Sequence, residues 1–210
     1  MRNITFALPK GRLAEQTMEL LTKIGITCDE MSKNSRKLLF VDNEQGYSFF
    51  LAKPSDVPTY VEYGAADIGV VGKDVLLEGQ RAVSEVAALP FGRCRMIVAG
   101  YPEARERYES GGHIRVATTF PNIALNYFQA KKCNVEIIKL NGSTELGAIV
   151  GLADVVVDIM ETGSTLKENG LVIFDEICEV SARVIVNNAA MKLENERISS
   201  IVKKVVKCLL

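Results

Sequence analysis

One histidine, His113, is all the imidazole that 210 residues provide, and it stands beside Gly111-Gly112 in an expected loop. A histidine-based metal centre and a Ser-His-Asp triad are thereby set aside. No metal-ligating set is read anywhere in the chain, so its chemistry has to work without imidazole. The five cysteines, Cys28, Cys94, Cys133, Cys178 and Cys208, are odd in number and form no Cys-x-x-Cys. They predict reduced, mostly buried thiols in a cytosolic protein. No apolar run approaches the ~20 residues needed to span a bilayer. Met1-Arg2-Asn3-Ile4-Thr5-Phe6 runs straight into a strand without a signal-peptide core. The expectation is a cytoplasmic protein with no membrane partner. A net charge of −1 and the lack of a basic helix-turn-helix segment give no broad attraction to nucleic acid. Local basic sites, and with them an anionic small substrate, stay open. What is present suits a proper core: 48% apolar and 24% charged residues, enough for one large domain or two small ones.

Strands and helices alternate along the chain. Residues 4–8 read as a strand and 13–24 as an amphipathic helix, with Leu13, Thr17, Leu20, Leu21 and Ile24 on one face. Residues 37–41 and 47–52 read as paired strands about a turn-rich 42–46. A helix over 57–63 stops at Gly64, a strand follows at 68–71, and a helix at 73–78. Strands are expected at 94–99, 114–117, 135–139 and 155–157, with helices at 123–131 and 144–151. Residues 171–180 and 183–187 are extended. Ile198, Ile201, Val202, Val205, Val206 and Leu209 form the apolar stripe of a core-docked last helix, with Lys203, Lys204 and Lys207 opposite.

A weak internal repeat runs through this pattern. Ile4, Ala7, Leu13 and Ala14 correspond at constant offset to Ile114, Ala117, Ile123 and Ala124. Gly64-Ala65-Ala66-Asp67-Ile68 is answered by Gly151-Leu152-Ala153-Asp154-Val155. The repeat predicts an α/β protein of two similar lobes, residues 1–92 plus 179–210 and residues 93–178. The extended segments 94–99 and 171–180 would be the crossings, and a cleft would lie between the lobes at the carboxyl ends of the strands.

Val155-Val156-Val157-Asp158-Ile159-Met160-Glu161-Thr162-Gly163-Ser164-Thr165-Leu166 is the most informative stretch. A β-branched run ends in an acid, and a loop of small residues leads toward a helix. Such a loop presents backbone N–H groups and hydroxyls at a sheet's carboxyl edge, where an anion can be held. Asp158 cannot favour a phosphate by charge and suits sugar hydroxyls or a metal. Together they suggest a ribose phosphate; the segment alone also fits a buried strand with an ordinary polar turn. Lys10-Gly11-Arg12, before the first helix, is a second anion-seeking element, or simply a helix start with solvated charges. It lacks the spacing of a Walker A loop. Thr118-Thr119-Phe120-Pro121-Asn122 is its second-lobe counterpart, where helix capping is the safer reading of the hydroxyls.

Glu145, Gly151, Ala153, Val156, Asp158, Ile159, Thr162, Gly163, Thr165 and Leu166 stand at spacings that resemble the signature of the ATP phosphoribosyltransferase family. The resemblance extends over nearly the whole chain. It includes Leu8-Pro9-Lys10-Gly11-Arg12-Leu13, Ser35-Arg36-Lys37-Leu38, the segment from Lys53-Pro54-Ser55-Asp56 to Tyr60, and Ala66-Asp67-Ile68-Gly69-Val70-Val71-Gly72-Lys73-Asp74. It implies a type II periplasmic-binding-protein-like fold and transfer of the 5-phosphoribosyl group of phosphoribosyl pyrophosphate to N1 of ATP, the first step of histidine biosynthesis. By position, Arg36 and Lys53 inherit contact with the pyrophosphate as catalytic residues, joined by Asp158. Some members carry Arg where this chain has Lys53. Lys10, Gly11, Arg12, Glu145, Asp158, Glu161, Thr162, Gly163, Ser164 and Thr165 are the implied substrate-binding residues. Mg²⁺ is implied as bound to the substrate. Residues after about 190 form only the last helix, which matches the short form lacking a histidine-binding regulatory domain. The implied partner is a histidyl-tRNA-synthetase-like regulatory subunit, with a dimer of this chain inside a hetero-octamer.

Two rival readings are weaker. Salvage phosphoribosyltransferases share the Val-Val-Val-Asp and Thr-Gly-x-Thr pattern, but usually carry two adjacent acids where this chain has Asp158-Ile159. A non-catalytic small-anion-binding module on the same fold would explain the lobes without turnover.

Overall fold

In β1 (Ile4–Pro9) the alternation of side chains decides the packing: Ile4, Phe6 and Leu8 join one buried cluster and Ala7 another. A strand buried on both faces needs helices on both, as the rest of the chain provides. The computed structural model describes residues 2–32 and 37–209. After β1 come α1 (Arg12–Lys23), β2 (Leu39–Asp42), β3 (Tyr47–Ala52), α2 (Val57–Glu62), β4 (Ile68–Gly72), α3 (Lys73–Gly79) and β5 (Ser84–Ala88). Then follow β6 (Cys94–Gly100), α4 (Arg105–Glu109), β7 (Ile114–Thr118), α5 (Pro121–Ala130), β8 (Val135–Lys139), α6 (Glu145–Ile149), β9 (Val155–Met160), α7 (Ser164–Glu168) and β10 (Val172–Val180). The chain ends with β11 (Ala182–Val186), α8 (Ala190–Leu193) and α9 (Asn195–Cys208).

Two compact units result, Met1–Gly92 with Ser181–Leu210 and Arg93–Val180. The first holds a six-stranded sheet ordered β2-β3-β1-β4-β11-β5, the second a five-stranded sheet ordered β10-β6-β9-β7-β8. In the first, β1 runs parallel to β3 and β4, while β11 returns antiparallel. On one face, α1 and α9 bury Leu20, Leu21, Ile198, Ile201 and Val205 against Ile4, Phe6 and Phe49. On the other, Val57 and Val61 of α2 meet Ala7, Val71 and Ile185. In the second unit, β9 sends Val155 and Val157 toward Ile123 and Phe128 of α5, and Val156 toward Ala148 of α6 and Leu166 of α7.

Both strands expected as crossings, β6 and β10, belong wholly to the second unit. They pair antiparallel with each other, and Met96, Val98 and Val180 lie in its core. The expectation of mostly buried thiols also fails. Cys28 alone is buried, Cys94, Cys133 and Cys178 are half-buried, and Cys208 is exposed, because the last four sit at the start of β6, just after α5, on the edge strand β10 and on the outer side of α9.

The sequence repeat has a physical counterpart in each unit. Gly64 and Gly151 both take φ +73, and each closes a short helix by donating to the carbonyl three residues back, Val61 O at 3.1 Å and Ala148 O at 3.1 Å. The Asp that follows then clamps another strand of its own unit, β1 in the first and β7 in the second. Asp67 accepts the Thr5 N–H at 2.9 Å, and its own N–H donates to Thr5 O; Asp154 does the same with Arg115, at 2.8 Å. An arginine completes each clamp, Arg2 on Asp67 at 2.7 Å and Arg115 on Asp154 at 3.1 Å. Burial alone would raise the Asp154 carboxyl, but hydrogen bonds from Arg115 and the charges of Arg115 and Arg107 hold it below its ordinary value. Its contribution is therefore present above the ordinary carboxylate range and is lost as pH falls through the lowered value. Asp67→Ala, which orphans the Thr5 N–H and the Arg2 fork, should cost about 3 kcal/mol in urea unfolding. Asp154→Ala should cost less, because the Asp154 carboxylate is less deeply buried, 12% exposed against 3% for Asp67, and the deficit of that variant should shrink toward acid pH.

Candidate active site

Residues 155–157 of β9 are buried, Asp158 is half-buried and Ile159 is exposed, so the strand opens to solvent where the acid stands. Alternation sends Asp158 to the same face as Val156 and Met160, toward α6 and α7. The Thr144 hydroxyl donates to Asp158 Oδ2, and the Ile159 N–H donates to Oδ1 at 2.7 Å. Burial pushes the Asp158 carboxyl above its ordinary value; these two hydrogen bonds pull it down, and the charge of Glu145 pushes it up again.

The loop that follows turns at Gly163, whose φ of 78 lies in the left-handed region. A Cβ there would come 2.9 Å from Met160 Sδ, so both backbone and space ask for glycine. The Thr162 and Ser164 hydroxyls stand 3.1 Å apart beyond the strand end. Lys167 is the first residue of α7 whose N–H reaches a carbonyl four residues back, Gly163 O at 3.1 Å; the preceding N–H groups face the loop, as at any helix start. Asp158, Glu145 and residues 161–165 line one cavity of about 160 Å³, with Ile97, Met160 and Leu166 as its apolar wall. That is room on the scale of about five waters. Six of the residues read from the sequence, Glu145, Asp158, Thr162, Gly163, Ser164 and Thr165, therefore meet at one place, and Glu161 stands at the same rim with its side chain exposed.

The first unit gathers its cations by strand register. β1 and β3 are parallel with Pro9 opposite Ala52, and the Lys10 N–H donates to Ala52 O at 3.0 Å. Lys10 and Lys53 consequently leave neighbouring strands side by side at the carboxyl edge of the sheet. Gly11 at φ 92 makes the turn into α1, which begins at Arg12. All three cationic side chains are exposed, and Lys10 and Lys53 make no ion pair among the described residues. A cavity of about 490 Å³ runs from Gly11 along α1 to Asp29 and Met31. Ser35 and Arg36 lie outside the described residues.

Other expectations resolve differently. Thr118 neither caps α5 nor presents its hydroxyl: it is fully buried, donating to Val157 O at 2.7 Å and accepting the Phe120 N–H at 2.8 Å. It ties the turn after β7 to β9, a structural duty that a Thr-Thr-x-Pro string does not reveal. His113 is half exposed, 3.8 Å from Glu136. Among the described residues no group of three or more His, Cys, Asp or Glu is arranged to hold a metal ion, and no helix is long and apolar enough to cross a membrane. Thr144 was missed as a site residue. Directly before Glu145 it reads as a helix start, and only the structure turns its hydroxyl onto Asp158.

Residues 53–207 match the HisG family, ATP phosphoribosyltransferase. The ATP phosphoribosyltransferase of Lachnoclostridium phytofermentans is 60% identical over 204 residues, covering 96% of this chain and 95% of that one. A chain of the ATP phosphoribosyl transferase (HisG:HisZ) complex from Thermotoga maritima superposes with TM-score 0.81 at 37% identity, covering 98% of both. The periplasmic aliphatic sulphonate binding protein SsuA of Escherichia coli is similar in fold alone, with TM-score 0.65 at 8% identity over 99% of this chain and 72% of that one. The expected fold, two α/β units of periplasmic-binding-protein type, agrees with these likenesses. With a family match over most of its length and a relative at 60% identity, the chain belongs to the ATP phosphoribosyltransferase family.

Proposed function

We propose that the chain transfers the 5-phosphoribosyl group of phosphoribosyl pyrophosphate to N1 of the adenine of ATP, giving phosphoribosyl-ATP and pyrophosphate in the first step of histidine biosynthesis, in the cytoplasm. One observation carries the reading: an acid suited to ribose hydroxyls and a loop suited to a phosphate line the same cavity.

The N1 lone pair attacks C1, the C1–O bond breaks, and its electron pair leaves with pyrophosphate. Adenine N1 is unprotonated at neutral pH, so no general base is required, which suits a chain with one exposed histidine. Charge builds on the sugar ring and on the leaving group, and the protein's work is alignment and electrostatic stabilisation. The 161–165 loop would hold the 5-phosphate through its N–H groups and the Thr162, Ser164 and Thr165 hydroxyls. Asp158, with Glu145, would accept hydrogen bonds from the ribose hydroxyls. Lys10, Arg12, Arg36 and Lys53 would supply the positive field for pyrophosphate, with Gly11 giving the turn between the first two. Lys53 brings the charge without the bidentate fork of an arginine. Mg²⁺ belongs to this scheme as part of the substrate, carried on pyrophosphate oxygens and water.

The likeness over 98% of both chains to a HisG:HisZ complex supports a histidyl-tRNA-synthetase-like regulatory partner. On this reading a dimer of the chain sits in a hetero-octamer, and feedback by histidine resides in the partner. Isothermal titration of histidine into the chain alone should then show no specific binding; a saturable isotherm would contradict that division of labour. The reaction itself is tested by mixing the chain with ATP, phosphoribosyl pyrophosphate and Mg²⁺ and following product by ultraviolet absorbance, with and without the partner. Turnover that requires both substrates is expected. Absence of turnover in both mixtures, with anion binding intact, would leave a non-catalytic binding module.

A further inference from the structure

We infer that Thr144 is a positioning residue for the phosphoribosyl site, holding the Asp158 carboxylate in the orientation and the charge state that receive the ribose hydroxyls. The inference rests on the reading of Asp158 given above. Thr144 is fully buried, and its hydroxyl donates to Asp158 Oδ2. It occupies the capping position of α6 yet makes no side-chain cap bond, so the hydroxyl is committed to the acid and not to its own helix. The other oxygen, Oδ1, is held by the Ile159 N–H at 2.7 Å. With both oxygens anchored, the carboxylate is fixed in rotation and keeps lone pairs for incoming hydroxyl donors.

The surroundings make this anchor consequential. The charged groups near Asp158 are mostly unhelpful: Glu145 on α6 and Glu161 in the loop line the same cavity, both acids. Arg95 of β6, on the same face of the sheet, is engaged with Glu176 of β10 at 3.0 Å. Lys167 and Glu168 of α7 are both exposed. Burial and the Glu145 charge favour the neutral acid, while the Thr144 hydroxyl and the Ile159 N–H favour the anion. Removing the hydroxyl takes away one of two stabilising donors and should raise the Asp158 pKa further. The ionised fraction at a given pH then falls, and the acid limb of kcat/KM moves to higher pH.

Thr144→Val keeps the shape and deletes the hydroxyl; Thr144→Ser keeps the hydroxyl. For Thr144→Val the KM for phosphoribosyl pyrophosphate should rise about tenfold, the scale of one hydrogen bond to a charged group, with a smaller change in kcat. Its acid limb should move to higher pH, and Thr144→Ser should recover most of the loss. In an Asp158→Ala background, Thr144→Val should add nothing, because its effect runs through the acid. Thermal unfolding of each variant checks the fold, and Thr144→Ala stands in if the valine variant does not fold. A wild-type KM and acid limb in Thr144→Val, with Asp158→Ala severely impaired, would overturn the positioning role and leave the site reading intact. An additive loss in the double variant would also overturn it. Full activity in Asp158→Ala would overturn the site reading and this inference with it.

Discussion

Asp158→Ala should lower kcat/KM for phosphoribosyl pyrophosphate by about 100-fold or more. The half-buried carboxylate stands within β9 directly after three fully enclosed residues, so it has no freedom to be replaced by a neighbour. Two ribose hydroxyls donating to an ionised acceptor contribute roughly 1.5–3 kcal/mol each, and 1.4 kcal/mol is a factor of ten. Glu145 shares the cavity but belongs to α6 and cannot take the place of Asp158 on β9. Asp158→Asn, which keeps the shape and loses the charge, should fall between wild type and alanine. The truncation removes a carboxylate whose ionised form burial disfavours, which offsets part of the cost of leaving the Thr144 hydroxyl unpaired. The fold should therefore survive, with the loss confined to kinetics and ligand binding. Steady-state kinetics with the partner present provide the check, and near-wild-type values for Asp158→Ala would remove the acid from the site.

Gly163→Ala should raise the KM for phosphoribosyl pyrophosphate by roughly 10- to 100-fold. At φ 78 an L-residue costs about 1–2 kcal/mol, and the added Cβ would press on Met160 Sδ at 2.9 Å. The loop relieves both by changing its turn, and the hydroxyls and N–H groups around it lose their common focus. A control separates loop geometry from general strain. Gly170 has φ +73, and a Cβ there meets only Tyr101 Cε1 at 3.7 Å. Gly170→Ala should lose similar stability while its KM stays near wild type. Equal KM values in the two variants would mean that the phosphate is not held by the Gly163 turn.

Much of this architecture could be read before the structure because the informative residues are buried in strict alternation. β1, with Ile4, Phe6 and Leu8 on one face and Ala7 on the other, and again residues 155–157, need helices on both sides, and Gly64 and Gly151 mark the helix ends that precede β4 and β9. The acid stands on β9 three residues before the small-residue loop, so sequence proximity and spatial proximity coincide there. Segments with weaker patterns went unread. β5, Ser-Glu-Val-Ala-Ala, is a half-exposed edge strand without alternation, and α4, Arg-Glu-Arg-Tyr-Glu, buries only Tyr108. The strand expected at 37–41 begins two residues later, since Leu38 is solvent-exposed ahead of β2. β9 extends beyond its expected end, because Asp158 to Met160 still pair with β6. Thr118 and Thr144 show the limit most plainly. Each hydroxyl acts on a residue 39 or 14 positions away, and no local spacing encodes that.

The site reading stands or falls on where the phosphoribosyl end is held. Isotopically labelled chain, titrated with phosphoribosyl pyrophosphate and Mg²⁺ and followed through its backbone amide resonances, answers this without relying on turnover. The largest shifts should fall on Thr162, Gly163, Ser164, Thr165 and Ile159, saturating together, and in Gly163→Ala they should need roughly 10- to 100-fold more ligand to saturate. Saturable shifts elsewhere, with these five amides unmoved, would contradict the assignment of the loop and of Asp158 to the substrate.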